Sequence, residues 1–538
     1  MVDRTFWRDL AIITAAALVL RAVGALVVPW VPYLDASYYT LVAERLATGH
    51  GFTVPVIWAF LDVGGTLPQD PGLPIPSNAH WPPLGSIAAA ASMAVFGPTW
   101  QAGQIPMTII SALIPGFTYV VARDVFGGRL LAIGAAILAI FAGPLFILYP
   151  AIDNFALFGV LGTAAMWMST KAVRSGRPDR WLIGAGAMVG LATLTRIDGI
   201  VLAVAPAAAW LIGRGWTPWP AGPGRPSFIG GAASALAFFL VLTPWLLRNL
   251  EVFGTPVPTS GGTMLWITSY NEQFSISREL SPARYLDWGW ANIIGSKLTS
   301  WGVVAGRTMV LMGGFLVISF VGGMWAFRRR SELAPFLVYF VSIFVLMGGL
   351  FTFHAPQSAW YHSSPAWLGF GLPLALAGIP PTANAVGRFW PFLRRPQTHA
   401  FLGAIGVVAA IVLSVLGSLN LWNIWVSNRE RDLTAASFFL ERGLTDDVVM
   451  TREAAMLNLM TGNPAVSFPL DPYPVIEEVV RAYDVKWVVV TQLRDELRAP
   501  LGLWDGGAAV DQDGNRADWL AEDPAFETGN VRIFEVEP

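Results

Sequence analysis

The sequence predicts a polytopic α-helical membrane protein of about eleven spans with added interfacial helices, followed by a small extracytoplasmic α/β domain. Three observations carry that expectation. Of 538 residues, 54% are apolar and 13% charged, with a mean hydropathy of +0.54, a balance that soluble chains of this size do not show. The apolar residues gather in runs close to the about 20 that a bilayer crossing needs, and the basic residues between the runs sort to one side. The last 110 residues hold 21 Asp/Glu against 10 Lys/Arg while the rest holds 15 against 24, so two regions meet two environments. Cysteine is absent, which excludes disulfides and thiolate metal sites.

The first run, Asp9 to Val28, follows Arg4 and Arg8 and lacks a small-residue cleavage site after it, which reads as an uncleaved anchor. Further spans are expected at Gly103 to Ala122, Leu130 to Tyr149, Asn154 to Thr170, Trp181 to Thr195 and Ile197 to Ile212. The remainder fall at Phe228 to Leu247, Val303 to Phe327, Leu333 to Thr352, Ala366 to Val386 and Ala400 to Trp422. The stretch Pro82 to Phe96 is short and preceded by Trp81-Pro82-Pro83. If it does not cross, Arg4/Arg8, Arg123/Arg129, Lys171/Arg174/Arg177/Arg180, Arg214/Arg225, Arg328/Arg329/Arg330 and Arg388/Arg394/Arg395 share one face. The positive-inside rule makes that face cytoplasmic, so the stretch is read as re-entrant or interfacial. The protein is then a multi-pass plasma-membrane protein with its N-terminus inside and its C-terminus outside.

Two regions follow: 1–427, a membrane region with large outer loops at 29–81 and 248–301, and 428–538, a soluble extracytoplasmic domain. In the second region Val448 to Thr451 and Lys486 to Thr491 read as strands, and Leu433 to Glu441 and Val475 to Tyr483 as helices. No repeat is evident. The Pro/Gly-rich stretch Gly213 to Pro226 reads as a linker.

Nearly every candidate for chemistry falls on the outer face. Asp35 opens Asp35-Ala-Ser-Tyr38-Tyr39 at the start of an amphipathic helix, where it serves as an N-cap, as a general base with a pKa raised by partial burial, or as both. Asp153 precedes another helix on that face; it is a cap, or a second acid that orients an acceptor or helps hold a divalent cation. His80-Trp81-Pro82-Pro83 suits either interfacial anchoring or contact with a phosphate or sugar. Arg248 ends a span against the positive-inside trend, which fits snorkelling to headgroups or a fork of donors for a lipid-linked phosphate. His354 and His362 share a loop with Gln357, Trp360 and Tyr361; their spacing is not that of metal ligands, and they read as substrate or headgroup contacts. No metal ligand set is assigned. Arg196 and Asp198 flank a helix break and are expected to pair with each other. Without a phosphate loop, a dinucleotide fingerprint or His-Glu-x-x-His, ATP-driven transport, nicotinamide chemistry and zinc proteolysis leave the leading readings, and nothing points to nucleic acid.

In order, Asp35-Ala-Ser-Tyr38-Tyr39, Ala43, Leu46-Ala-Thr-Gly49-His-Gly51-Phe52, Trp81-Pro82-Pro83-Leu84 and Phe96-Gly97 resemble the first outer loop of GT-C glycosyltransferases. The nearest branch includes protein O-mannosyltransferases and lipid A aminoarabinose transferases. Asp153-Asn154-Phe155, Thr195-Arg196-Ile-Asp198 and Pro244-Trp245-Leu246-Leu247-Arg248-Asn249 fall where that branch carries similar segments. The resemblance covers roughly Arg4 to Asn423. It implies transfer of a sugar from a polyprenyl-phosphate donor to an acceptor hydroxyl on a protein, lipid or glycan, outside the membrane. Asp35 is then the base, with inversion at the sugar carbon, and Asp153 the second acid. Arg248 and His80 would hold the donor phosphate, with Tyr38, Tyr39, Trp81, His354 and His362 lining the site. The aminoarabinose branch has a lysine where Trp81 stands, which shifts weight for the phosphate to Arg248. No cofactor is required, though a divalent cation remains open. The competing classes are a transporter or flippase of lipid-linked sugars, which would place ionisable groups near the bilayer midplane, and a non-catalytic glycan-binding subunit.

Overall fold

A computed structural model of the chain describes residues 4–258, 262–491 and 517–537. Helix α1 (Arg4–Val27) ends before Pro29, and α2 (Leu34–Ala47) begins after Pro32, since proline cannot supply the backbone donors a helix interior needs. The long loop that follows carries three two-residue strands, β1 (Thr53–Val54), β2 (Val56–Ile57) and β3 (Ile75–Pro76). Next come α3 (Leu84–Phe96), started by the Pro82-Pro83 pair and stopped at Gly97, and α4 (Trp100–Val125), capped by the Thr99 hydroxyl accepting from the Ala102 amide. The expected span at Leu130 to Tyr149 is interrupted: α5 (Arg129–Ile140) and the short α6 (Leu145–Leu148) flank a break at Gly143-Pro144.

That break explains an intramembrane charge. Arg21 of α1 is fully buried, and its guanidinium donates to the carbonyls of Ile140 at 3.0 Å and Phe146 at 2.8 Å while lying over the Tyr149 ring. Carbonyls released inside a bilayer need such a donor.

Helices α7 (Phe155–Arg174), α8 (Pro178–Thr195), α9 (Val204–Gly213) and α10 (Phe228–Phe253) follow, with a 3-10 turn at Ile197–Ala203 between α8 and α9; α7 is largely buried, whereas α10 leaves most of its apolar residues exposed at the periphery. Helices α8 and α10 run parallel and touch through small residues, so closely that a Cβ on Gly186 would lie 2.1 Å from the Ser234 carbonyl oxygen. After α11 (Pro282–Asp287), the expected Val303 to Phe327 span is two helices, α12 (Trp290–Leu311) and α13 (Leu316–Phe327), bent by 103°. Gly313 and Gly314 make the corner with φ of 68° and 83°, a backbone that side chains disfavour, and a Cβ on Gly313 would meet Ala410 at 2.6 Å. Then come α14 (Ala334–Gly349), α15 (Ala359–Ala377) and α16 (Ile379–Val386), the last pair bent by 43° ahead of Pro380-Pro381. Arg307 of α12 bonds the carbonyls of Ala355 and Pro356, pinning the turn before α15. Each expected span contains helix, and among the described residues five are single helices long and apolar enough to cross a membrane and two more are the bent pairs.

The bundle has two distinct ends. The 20 residues of α7 rise about 30 Å from Asp153 to Lys171 and Arg174. Around the latter, Arg129 bonds Asp9 at 2.6 Å, Lys171 and Arg174 hold Asp124, and Arg330 reaches Glu332 and the Val125 carbonyl. Basic clusters distant in sequence therefore meet at one end, while Asp35, Asp153, Arg196 and Arg248 lie toward the other.

Helix α17 (Pro396–Arg442) continues for 47 residues, through position 428, until Gly443 ends it with φ 68°. Beyond it lie β4 (Val448–Thr451), α18 (Ala454–Thr461), β5 (Ala465–Val466), α19 (Tyr473–Ala482), β6 (Val485–Thr491), β7 (Phe526–Glu527) and β8 (Val531–Glu535). Their sheet has the order β2-β5-β4-β6-β8-β7, parallel from β2 to β6 and antiparallel beyond. Its edge strand β2 comes from the first loop, with Val56 opposite Ala465. Ala454 and Ala455 of α18 pack with Tyr38, Leu41 and Val42 of α2 in one apolar cluster. The C-terminal region thereby holds the helix that carries Asp35.

Candidate active site

Helix α2 begins at Leu34 with Tyr33 as its N-cap, so Asp35 lies in the first turn and is not the cap. Its carboxylate accepts no hydrogen bond among the described residues and retains 31% exposure. Asp153, in the turn before α7, is completely buried: one oxygen accepts from the Asn154 amide at 2.5 Å and the other from the Tyr33 hydroxyl at 2.9 Å. His362, which the sequence places in a loop, sits in the first turn of α15, stacked on Phe155 with ring centroids 4.3 Å apart. Its Nδ1 lies 3.2 Å from Asn154 Oδ1, which fixes that nitrogen as the donor and leaves the Nε2 lone pair toward Asp35 Oδ2, 3.7 Å away. Its Nδ1 is also 3.7 Å from Asp153 Oδ1.

Electrostatics separate the two acids. Burial pushes both carboxyls above the usual range, and Asp153 is raised further by the charge of Asp35. The opposing cation is Arg196, the C-cap of α8, whose field lowers both. Arg196 binds Asp198 through Nε at 2.8 Å, and Asp198 accepts from the Ser363 hydroxyl. The expected pair is present, yet the charge of Arg196 also reaches Tyr39, His80 and His354. Glu453, which precedes α18, adds negative charge at Asp35 from the C-terminal region.

The other expected residues form a wall around this cluster. Tyr39 is buried, with its hydroxyl accepting from Asn154 Nδ2 at 3.4 Å. Trp81 stacks among Tyr38, Tyr39, Trp58 and His80, with centroids 4.3 to 6.0 Å apart. The Tyr38 hydroxyl accepts from the Asn78 amide at 2.9 Å. Burial lowers His80 to about 4 and His354 to about 3, so both are neutral imidazoles near pH 7. Arg248 donates to Phe52 O at 3.3 Å and Asn249 Oδ1 at 3.2 Å, lies over Trp245 and Phe253, and exerts its charge on Tyr38. Among the acids it is Arg196, not Arg248, whose field is felt at Asp35 and Asp153.

Sequence reasoning names Asn154 only within the segment Asp153-Asn154-Phe155 and misses Tyr33, Trp58 and Glu453. Tyr33 lies two residues before Asp35, so nearness to a named acid is a usable signal; Glu453 has none, because only the tertiary fold brings it in. One atom each from Asp35, Asp153 and His362 lie within 4.8 Å of one another. Two carboxylates, one free of other bonds, and one imidazole lone pair make a donor set that fits a divalent cation.

Residues 80–245 match the family described as dolichyl-phosphate-mannose-protein mannosyltransferase. Among curated proteins, no sequence matches the chain. Among solved structures, ArnT from Cupriavidus metallidurans bound to undecaprenyl phosphate superposes with a TM-score of 0.59 at 12% identity, covering 99% of this chain and 98% of that one. The Archaeoglobus fulgidus oligosaccharyltransferase AglB, in complex with an inhibitory peptide and a dolichol-phosphate, gives 0.56 at 12% identity over 91% of this chain and 69% of that one. The mycobacterial arabinofuranosyltransferase AftD gives 0.51 at 14%, over 99% of this chain and 42% of that one. The chain is therefore an integral membrane protein with the fold of the GT-C glycosyltransferases.

Proposed function

We propose that the protein is a membrane glycosyltransferase that moves a sugar from a polyprenyl-phosphate donor to an acceptor hydroxyl on the extracytoplasmic side, with Asp35 as general base. The observation that carries this reading is the partly exposed Asp35 carboxylate, free of hydrogen bonds among the described residues, close to a buried Asp153 and within the field of the Arg196 guanidinium. The acceptor O–H loses its proton to Asp35 as its oxygen attacks the anomeric carbon. The bond from that carbon to the phosphate oxygen breaks, and its electron pair leaves with polyprenyl phosphate. Attack opposite the leaving group inverts the sugar carbon.

Asp153 faces His362, and the bonds it accepts from the Tyr33 hydroxyl and the Asn154 amide keep this second acid from competing as a base. Arg196 meets the charge that grows on the departing phosphate, with its two terminal nitrogens unengaged among the described residues; Arg248 and His80 are assigned to the donor at greater distance from the acids. A divalent cation held by Asp35, Asp153 and His362 would supply further positive charge against phosphate.

The intramembrane arginines favour transfer over transport. Arg21 and Arg307 are bound to backbone carbonyls, a structural use that leaves them no role in carrying an ion or substrate across the midplane.

The test is release of free polyprenyl phosphate from a labelled lipid-linked sugar by purified protein. Asp35→Asn should lower turnover by about 100- to 10,000-fold with no fall in unfolding temperature. Turnover at the wild-type rate would remove Asp35 from the mechanism.

A further inference from the structure

The first loop, the end of α10 and the C-terminal region enclose a cavity of about 420 Å³, which includes none of Asp35, Asp153 and His362 in its lining. Its wall includes Asp62, Asp70, Ile75, Val252, Phe253 and Tyr483. Asp62 sits on a 3-10 turn, Phe60–Val63, that Gly64 closes with φ 97°. Tyr483 follows α19 and packs in the same apolar cluster as Phe60.

Two features set this wall apart. Asp62 is 7% exposed, and its carboxylate makes no hydrogen bond or ion pair among the described residues. Tyr483 is 5% exposed, and its hydroxyl also has no hydrogen-bond partner among the described residues. A buried polar group left unbonded costs about 1–3 kcal/mol, so two around one cavity mark a place where a ligand supplies the missing bonds.

The chemistry of the wall selects the ligand. Among the described residues no Lys, Arg or His lines the cavity, which disfavours phosphate and other anions. Burial raises Asp62 to about 8, so near pH 7 it is a neutral carboxylic acid that both donates and accepts. An ammonium ligand would have to ionise Asp62 against that burial, which makes it the competing occupant at a wall that also holds Asp70. A tyrosine hydroxyl has the same dual character, and both match sugar hydroxyls, while Ile75, Val252 and Phe253 offer an apolar surface for the C–H face of a ring.

We propose that this cavity is a saccharide-binding site, holding a neutral hydroxylated ring between Asp62 and Tyr483, apart from the centre at Asp35. Its size falls within the about 300–1,000 Å³ of small-ligand pockets. The site joins the first loop to the C-terminal region, so its occupant bridges the two parts that also meet in the sheet.

The experiment uses the full chain in amphipol, which carries no sugar headgroup, with saturation-transfer NMR against methyl α-mannoside, mannobiose and methyl β-galactoside. Spermidine and inorganic phosphate serve as cationic and anionic comparators. At least one saccharide should bind wild type and Asp35→Asn alike, and bind about tenfold or more weakly to Tyr483→Phe and Asp62→Leu, with no fall in unfolding temperature for Tyr483→Phe. Absence of a signal from every saccharide, equal binding by wild type and Tyr483→Phe, or loss of a spermidine or phosphate signal in Asp62→Leu would each overturn the proposal. Because the readout is binding, failure here leaves the transfer reading intact, and failure of the Asp35→Asn test leaves this site intact.

Discussion

Replacing Asp62 by asparagine should stabilise the protein, and the size of the gain follows from the environment of its carboxyl. Burial with no compensating bond moves its pKa from an ordinary 3.8 to about 8. Below pH 3.8 the group is protonated in both folded and unfolded chains, and its titration costs the fold nothing. As pH rises, the unfolded chain ionises while the folded chain keeps its proton, so stability falls until about pH 8, where the folded group ionises too and the loss becomes constant. At pH 7 each unit above 3.8 weakens the fold by about 1.4 kcal/mol, at most about 4 kcal/mol in all. The charged and titratable groups nearby, Asp70 and Tyr483 in the wall and Arg248 behind Tyr38, do not reverse that sign. An asparagine of the same shape has no proton to gain. In thermal unfolding, Asp62→Asn should exceed wild type by a few degrees at pH 8 and approach it at pH 4.5. Identical melting at both pH values, or a lower melting temperature at pH 8, would refute the claim that an unpaired acid is buried there.

Three further outcomes are expected. Arg196→Met should lower kcat/KM for the lipid-linked donor by about 10- to 150-fold, the range of a charge-assisted bond, and by more than Arg248→Met does; a larger effect at Arg248 would return the phosphate to that residue. Manganese or zinc added to chelator-treated protein should raise the unfolding temperature of wild type but not of His362→Ala, and equal shifts in both would place any bound cation elsewhere. Arg21→Met should destabilise the bundle by about 2–5 kcal/mol in denaturant unfolding, because the Ile140 and Phe146 carbonyls lose their donor in an apolar setting; unchanged stability would mean another donor takes its place.

What could be read from sequence was what rests on local pattern. Apolar runs located the helices, since a bilayer demands unbroken stretches, and strand alternation located β4 and β6. Breaks were harder to read. The Gly313-Gly314 corner lies inside a run apolar enough to read as one span, and what makes glycine necessary there is the approach of Ala410 on a helix about a hundred residues later. The same holds at the site. Asp35 and Asp153 stood out as acids at helix starts, a local signal. His362 looked like a loop residue, and the only spacing available to judge it was the one to His354, whereas its partners come from α2 and from the turn before α7.

The most consequential feature was hidden for the same reason. Strand β2 has two residues and no periodicity to detect, yet by pairing with β5 it makes the first loop part of the C-terminal sheet. A sheet edge left open invites pairing with another chain, and here the strand just before Trp58 and Phe60 covers it. On one side of that strand, Trp58 packs with Trp81 and His80 in the wall around Asp35; on the other, Phe60 leads into the turn that carries Asp62. The loop cannot therefore shift to admit a ligand at one site without pulling on the wall of the other, so a saccharide held at Asp62 would be felt at Trp81 through only a few residues of backbone. Loosening that strand, by Ile57→Pro, which removes an amide facing β5, should disturb ligand contacts at both places together. Loss at one alone would show the two to be mechanically independent.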